Sequence, residues 1–147
     1  MTQATGNIVP PDVVCADDYE RHAHARLPAP ILAYIAGAGA DGITRRWNRA
    51  AFDEMALAGR VLADMSKATT EGTLLGLPLA HPVILAPVAH QMLVHPEGER
   101  AMAIGASATQ SWMTVSTLSS IRLEDVAAAS QTTLMFQLYF QMERAAT

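Results

Sequence analysis

The chain contains 147 residues, half of them hydrophobic and 16% charged, with a formal net charge of −4 at pH 7. An acidic chain is not attracted to nucleic acid or to an anionic membrane surface, so neither is expected as a partner. Cys15 is the single cysteine, which excludes an intrachain disulfide. No stretch approaches the roughly 20 apolar residues of a membrane helix, and no secretory signal is recognised. Length and composition predict one soluble, cytoplasmic domain.

The chain begins with a segment, residues 1–16, that has no hydrophobic periodicity and predicts a flexible arm. Asp17 or Asp18 can cap the helix that follows, which extends to about Arg26. A second, short apolar helix is expected at residues 31–36, after two prolines that end the first helix.

A glycine-rich segment, residues 37–42, separates this helix from a third helix predicted at residues 44–55. Because no strand precedes the glycines, a plain turn is favoured over a phosphate cradle. Arg45, Arg46 and Arg49 in the third helix could bind an anion, but a solvated helix face is the commoner arrangement.

Two extended segments are expected before the main sheet. Residues 60–64 predict a short strand or extended segment. Residues 73–79 carry two apolar runs around a glycine and a proline, and this pattern predicts a small hairpin at the base of the sheet. Residues 17–80 therefore form a predicted N-terminal helical segment with its hairpin.

The remaining segment, residues 81–147, alternates short apolar runs with stretches of helical propensity. This order is typical of an α/β fold with a parallel sheet and crossover helices. The apolar run at residues 83–86 predicts a strand that is buried on both faces. The predicted strands are residues 83–86, 112–115 and 134–138, and the predicted helices are residues 100–109, 123–129 and 142–146.

Four polar side chains fall at or just after the carboxyl ends of the second and third predicted strands: Ser116, Thr117, Gln137 and Tyr139. In parallel α/β folds, ligands bind at this edge of the sheet. Gln137 lies inside an apolar strand, and a buried amide needs hydrogen-bond partners that a ligand could supply. Tyr139 and Tyr34, taken singly, are typical of half-buried structural tyrosines.

The other titratable residues form no recognisable site in the sequence. His22 and His24 are two residues apart, which places them on different sides of a helix. His90 and His95 have no cysteine or carboxylate at the spacing that zinc sites use, so no metal is expected. Three acidic residues predict caps and surface charges: Asp64, Glu97 and Glu99.

Several short strings, in the same order along the chain, resemble the FMN-dependent L-2-hydroxy acid oxidases and dehydrogenases. This family includes glycolate oxidase, lactate oxidase and monooxygenase, and the mandelate enzymes, and the resemblance covers its N-terminal part. Tyr34 belongs to the resemblance together with six strings: Leu27-Pro28, Asn48-Arg49-Ala50-Ala51-Phe52, residues 82–89, His95-Pro96-Glu97-Gly98-Glu99, Thr114-Val115-Ser116-Thr117 and Phe136-Gln137-Leu138-Tyr139.

The resemblance implies the N-terminal portion of a (β/α)₈ TIM barrel, whose first three strands lie in residues 81–147, and it implies FMN as the cofactor. Ser116 and Gln137 would hydrogen-bond the pyrimidine edge of the flavin. The residues whose backbone would approach the flavin ring are Pro87, Val88 and Ala89.

The same resemblance implies a small L-2-hydroxy acid as the substrate, oxidised to a 2-keto acid while FMN is reduced and then reoxidised by oxygen or another acceptor. Tyr34 would hold the substrate carboxylate, and Tyr139 would lie beside the reacting hydroxyl as the catalytic residue. Leu118 stands where glycolate oxidase has tryptophan, which implies a roomier pocket. His90 follows the flavin-contacting segment and would face the substrate.

Other parts of the family's active site lie in later strands. The family's catalytic histidine, two substrate-binding arginines, flavin-contacting lysine and phosphate site have no counterpart in this sequence. A C-terminal barrel segment, on a second chain or cut away, is therefore expected as a partner, within a complete enzyme that is a homo-tetramer. Two alternatives are a non-catalytic truncated barrel fragment and another FMN barrel, such as a type 2 isopentenyl diphosphate isomerase.

Overall fold

The computed structural model describes residues 9–140 and residue 142. The chain forms two units, Met1–Ala58 and Gly59–Thr147. Among the described residues, no helix is both long enough and apolar enough to cross a membrane. The division at residue 80 and the flexibility of residues 1–16 stay predictions.

The described part of the first unit contains three helices: α1 (Asp18–Arg26), α2 (Ala29–Ala36) and α3 (Ile43–Asp53). The three helices predicted in this region are therefore confirmed, with shifted ends. Helix α2 begins two residues earlier than predicted, because Pro30 lies in its first turn. At that position the missing N–H of proline costs no helical hydrogen bond.

The start of α1 is held by Asp18 rather than by a cap from Asp17. Asp17 occupies the N-cap position, but its side chain makes no capping hydrogen bond. The Asp18 carboxylate instead accepts the N–H groups of Val14 and Cys15, at 2.9 and 3.0 Å. The segment before α1 is thereby tied to the first turn of the helix.

The glycine-rich segment is a turn, as predicted. Gly42 adopts a left-handed conformation, with φ of 65°, at the start of α3, and glycine takes this conformation without steric cost. Arg45 donates to the Ala36 carbonyl at 2.8 Å, and Arg46 donates to the Asp41 carbonyl at 2.7 Å. The two arginines therefore stabilise the turn through its backbone.

The second unit contains a small antiparallel hairpin, formed by β1 (Gly72–Leu74) and β2 (Leu77–Leu79). Leu75 and Gly76 connect the two strands with φ of 53° and 79°. Positive φ at both central positions gives the tight turn that matches the twist of paired strands, and the predicted hairpin is confirmed. Residues 60–64, expected to be extended, instead contain a turn at residues 61–62.

The main sheet of the described chain has three parallel strands in the order β3-β4-β5. The strands are β3 (Ile84–Leu85), β4 (Trp112–Ser116) and β5 (Leu134–Gln137). A short 3₁₀ helix (Gln91–Leu93) and α4 (Gly98–Thr109) connect β3 to β4, and α5 (Leu123–Ala129) connects β4 to β5. The predicted α/β fold with crossover helices is confirmed. The bounds of α5 agree with the prediction to the residue.

The core of this unit is formed by β4, α4 and α5. Its buried apolar side chains are Ala103, Ala106, Met113, Val115 and Val126. Partly buried side chains of the neighbouring strands, Leu85 and Leu134, pack against this cluster. Strand β4 lies between the other two strands, which explains why four of its five residues are buried.

The first strand of the sheet differs from its prediction. Residues 83–86 were expected to be buried on both faces, but this is wrong in the described chain: Val83 is 58% exposed, and β3 is two half-buried residues long. The physical reason is that β3 is an edge strand, paired with β4 on one side. The helix predicted at residues 142–146 lies outside the described residues, apart from Met142.

Candidate functional site

The carboxyl ends of the three parallel strands meet at one edge of the sheet, as parallel pairing requires. Strand β3 continues into residues 86–90, β4 into Thr117 and Leu118, and β5 into Leu138 and Tyr139. Every predicted site residue except Tyr34 lies on this edge or in the connections that leave it. This is the edge at which α/β folds bind small molecules.

Ser116 and Gln137 lie at the centre of this edge. They are paired residues of β4 and β5, so their side chains project from the same face of the sheet. The Ser116 hydroxyl donates to Gln137 Oε1 over 3.3 Å, and the Thr117 N–H donates to the same oxygen over 3.4 Å. Within the described residues, Gln137 Nε2 has no hydrogen-bond partner, so the amide N–H groups are available to a ligand.

Thr117 joins this pair to Tyr139. The Thr117 N–H donates to the main-chain carbonyl of Gln137 over 3.0 Å, and its hydroxyl donates to the same carbonyl. The hydroxyl oxygen also accepts the Tyr139 N–H at 3.1 Å. The sequence placed Thr117 at this edge but gave no sign of its contact with a residue 22 positions away. Tyr139 is 54% exposed, so its ring is open to a ligand.

The segment after β3 is bound to the connection after β4. His90 donates its N–H to the Leu118 carbonyl over 3.0 Å, so the structure brings these two predicted substrate residues together. His90 is left-handed, with φ of 53°, and turns the chain into the 3₁₀ helix. Gln91 adds a side-chain hydrogen bond to the Val88 carbonyl at 3.4 Å. Three residues were predicted to contact the flavin through their backbone. Pro87 and Val88 are exposed, and Ala89 is half-buried.

Glu99 is buried beside this edge, so its prediction as a surface charge is wrong. The side chain is 0% exposed and lies in the first turn of α4. Its Oε1 accepts the N–H groups of Gln91 at 3.3 Å and Ser120 at 2.8 Å. Because both donors come from other elements, no local pattern in the sequence marks this position. Glu97, two residues earlier, is exposed as predicted.

The remaining candidates belong to other elements of the described chain. The described residues contain no group of three His, Cys, Asp or Glu side chains placed to hold a metal ion. Asp64 is an exposed carboxylate that accepts the Ser66 N–H at 2.9 Å, and this hydrogen bond lowers the pKa of Asp64 from its usual 3.8. Tyr34 belongs to the other unit, on α2, where it is 60% exposed. Its part in the site stays a prediction.

Parallel strands with convergent polar groups at their carboxyl ends define the class: a ligand-binding segment of an α/β protein. Comparison with known proteins gives the family within that class. Residues 23–147 match the family described as FMN-dependent dehydrogenase, and the chain belongs to this family.

Relatives of known function support this membership. An L-lactate oxidase of Alicycliphilus denitrificans is 48% identical over 136 residues, which are 92% of this chain and 37% of the relative. A peroxisomal (S)-2-hydroxy-acid oxidase of Oryza sativa is 39% identical over 127 residues, which are 86% of this chain and 35% of the relative. The chain therefore spans a little over a third of the length of these relatives.

Solved structures give the same picture. Mandelate oxidase in complex with (S)-2-phenylpropionate superposes with a TM-score of 0.83 at 37% identity, over 88% of this chain and 39% of that one. The lactate oxidase of Pediococcus acidilactici also gives 0.83, at 34% identity, over 90% of this chain and 37% of that one. A mandelate oxidase variant with a C4a-OH-FMN adduct gives 0.82, at 36% identity, over 88% of this chain and 39% of that one.

The residues of the edge fit FMN, the cofactor of the family. The pyrimidine ring of a flavin carries carbonyl oxygens and ring nitrogens, which require donors and acceptors in one plane. The Gln137 side-chain oxygen is engaged by Ser116 and Thr117, which leaves the two amide N–H donors for such a ring. Ser116 is 5% exposed and helps to fix the orientation of the amide.

Proposed function

We propose that this chain supplies the first part of the active site of an FMN-dependent oxidoreductase that converts an L-2-hydroxy acid into a 2-keto acid. The observation that carries the proposal is the hydrogen-bonded network of Ser116, Thr117, Gln137 and Tyr139 at the carboxyl edge of the sheet. The relatives support the reaction class, since they include lactate and (S)-2-hydroxy-acid oxidases.

On the cofactor side, the chain binds and orients the flavin. Gln137 would donate its amide N–H groups to the pyrimidine edge, and Ser116 holds that amide in place. The backbone of residues 87–89 would contact the flavin ring. When bound, FMN supplies the acceptor for the two electrons that leave the substrate, and oxygen or another acceptor reoxidises it.

On the substrate side, Tyr139 hydrogen-bonds the reacting hydroxyl, and Tyr34 holds the substrate carboxylate. The Thr117 hydroxyl accepts the main-chain N–H of Tyr139. This hydrogen bond fixes the main-chain position from which the tyrosine side chain extends. Leu118 and His90, which are joined by a main-chain hydrogen bond, border the pocket for the substrate side chain.

The proposal includes the architecture of the complete protein. The strands β3, β4 and β5 are the first three strands of a (β/α)₈ barrel, and the remaining strands supply the base that takes the substrate proton and the site for the FMN phosphate. A homo-tetramer and a cytoplasmic location belong to the same proposal. Both rest on the family resemblance and on the composition of the chain.

The test uses the complete protein that contains this chain, purified with FMN. It is mixed without oxygen with L-lactate, glycolate or (S)-mandelate, and D-lactate serves as the control. The expected result is loss of the oxidised-flavin absorbance with at least one of the first three acids, and its return when air is admitted. A flavin-loaded protein that no 2-hydroxy acid reduces would show the proposal to be wrong.

A further inference from the structure

Glu99 is a buried titratable residue to which the proposed reaction assigns no role. Its Oε1 accepts hydrogen bonds from Gln91, in the 3₁₀ helix after β3, and from Ser120, in the connection between β4 and α5. One carboxylate oxygen therefore bridges the two connections that leave neighbouring strands at the carboxyl edge. Its second oxygen, Oε2, is buried without a hydrogen-bond partner in the described part of the chain.

Two further hydrogen bonds join the same two connections. His90 donates to the Leu118 carbonyl over 3.0 Å, and Met92 donates its N–H to the Ser120 hydroxyl over 3.2 Å. These contacts flank the Glu99 bridge and keep the connections at a fixed separation. The bridge differs from these two contacts because a single carboxyl oxygen accepts N–H groups from both connections.

Gly98 allows the bridge to form. A Cβ at this position would lie 2.8 Å from Met92 Cγ and 3.3 Å from the Met92 nitrogen. The glycine also has φ of 42°, which a side chain would strain. The close approach of the 3₁₀ helix to the first turn of α4 is what brings the Gln91 N–H within reach of the carboxylate. The positive end of the α4 dipole further stabilises a negative charge there.

We propose that Glu99 is a positioning residue for the flavin site. Its carboxylate fixes the segment carrying residues 87–90 against the connection carrying Leu118 and Ser120. The spacing between these two connections decides whether the backbone after β3 and the Ser116–Gln137 pair contact the same flavin ring. The inference rests on the proposed function, because it assigns the flavin to this edge.

The test compares three variants of the complete protein. Glu99→Gln keeps the shape but removes the charge and places an N–H₂ group where Oε2 lies. Glu99→Asp keeps the charge and shortens the reach, and it serves as the conservative rescue. Glu97→Gln removes the charge of an exposed side chain two residues before Glu99. It is the matched control. Thermal unfolding of each apoprotein reports whether the variant is folded.

The decisive readouts are the FMN dissociation constant, from quenching of flavin fluorescence, and the visible spectrum of the bound flavin. We expect Glu99→Gln to raise the dissociation constant about tenfold or more, because the N–H₂ group that replaces the unpartnered Oε2 would be buried without an acceptor, at a cost of about 1.4 kcal/mol or more, and to shift the flavin spectrum. Glu99→Asp should recover part of the affinity, and Glu97→Gln should match the parent. Protection of the Gln91 and Ser120 amides from hydrogen exchange should fall in Glu99→Gln.

A folded Glu99→Gln protein with parental FMN affinity and spectrum overturns the inference, even if its melting temperature falls, because Glu99 would then support the fold alone. If Glu99→Gln does not fold, Glu99→Asp becomes the test, because its shorter side chain cannot reach both N–H groups. Parental FMN affinity in Glu99→Asp then also overturns the inference. Failure of the parent protein to bind FMN or to be reduced by any 2-hydroxy acid would instead count against the proposed function.

Discussion

Ser116 and Gln137 occupy paired positions at the carboxyl ends of two parallel strands, and the serine hydroxyl donates to the glutamine side-chain oxygen. The pair is polar, yet it lies at the end of strands whose other residues are mostly apolar. A serine that is 5% exposed and a glutamine oxygen with two internal donors form a rigid support. The free amide N–H groups of Gln137 are thereby aimed in one direction, which is what recognition of a planar ring requires.

The first prediction concerns this amide. Replacing Gln137 with leucine should weaken FMN binding by about 1–3 kcal/mol, because the flavin edge would be buried without its donor. This loss corresponds to a rise of roughly 5- to 150-fold in the FMN dissociation constant of the complete protein. Fluorescence titration with FMN measures it. Gln131→Leu, at an exposed position, is the control, and equal affinities for both variants would remove Gln137 from the flavin site.

The second prediction concerns the core beneath the edge. Met113 is 0% exposed in the central strand, and Met113→Ala should lower the free energy of unfolding by about 2–5 kcal/mol through the cavity it leaves. Met65 is 67% exposed, so Met65→Ala should change the free energy of unfolding by less than about 0.5 kcal/mol. Chemical denaturation of the complete protein checks both. Similar destabilisation by the two substitutions would contradict the assignment of the core.

The parts of the fold that the sequence predicts well depend on local patterns. The bounds of α5 and the hairpin expected within residues 73–79 follow from short runs of residues whose propensities agree with their surroundings. The carboxyl-edge position of Ser116 and Gln137 follows from the same strand pattern. The roles of individual residues in flavin and substrate binding come from the family resemblance. Hydrophobic periodicity predicts helices and strands but does not show which side chains bind a ligand.

The failures have a tertiary cause. A glutamate in the first turn of a helix is typical of the protein surface. The Glu99 carboxylate is instead buried, and it accepts N–H groups from residues 8 and 21 positions away. Residues 83–86 have the composition of a fully buried strand, but their burial depends on how many neighbours pair with them. Residues 60–64 were expected to be extended, yet Leu62 adopts a positive φ of 58°, which an apolar run does not reveal.

The third prediction concerns pH. Hydrogen bonds from the backbone N–H groups of Val14 and Cys15 lower the pKa of the Asp18 carboxyl from its usual 3.8. Because the pKa is lower in the folded state, the stabilisation by Asp18 is present above about pH 3.8 and is lost as the pH falls through the folded value. Asp18→Asn should therefore lose amide protection at these two positions near neutral pH, where the parent retains it.

Hydrogen exchange at Val14 and Cys15, measured as protection factors over a pH series, distinguishes the parent from this variant. The two proteins should converge at acidic pH, where the parent carboxyl is protonated. Glu20→Gln, on the same helix, is the control and should keep the parent's pH profile at both amides. Parental protection in Asp18→Asn at neutral pH would show that the carboxylate does not hold this segment.

The last prediction separates the two site tyrosines, Tyr34 and Tyr139. Tyr34 is proposed to bind the substrate carboxylate, which has the same charge before and during the reaction, so Tyr34→Phe should mainly raise KM. Tyr139 is proposed to bind the reacting hydroxyl, where charge changes as the C–H bond breaks. Tyr139→Phe should therefore lower kcat, with FMN affinity unchanged. Tyr19→Phe, on α1, provides the control for loss of a tyrosine hydroxyl.

Stopped-flow measurement of flavin reduction isolates the chemical step in each variant, with lactate or mandelate as the substrate. Each replacement removes one oxygen and keeps the ring, so a change in packing is a poor explanation for any effect. Because Thr117 holds the Tyr139 main chain, the phenylalanine ring should occupy the place of the tyrosine ring. A Tyr139→Phe protein that reduces its flavin at the parental rate with every substrate tested would assign Tyr139 a structural role.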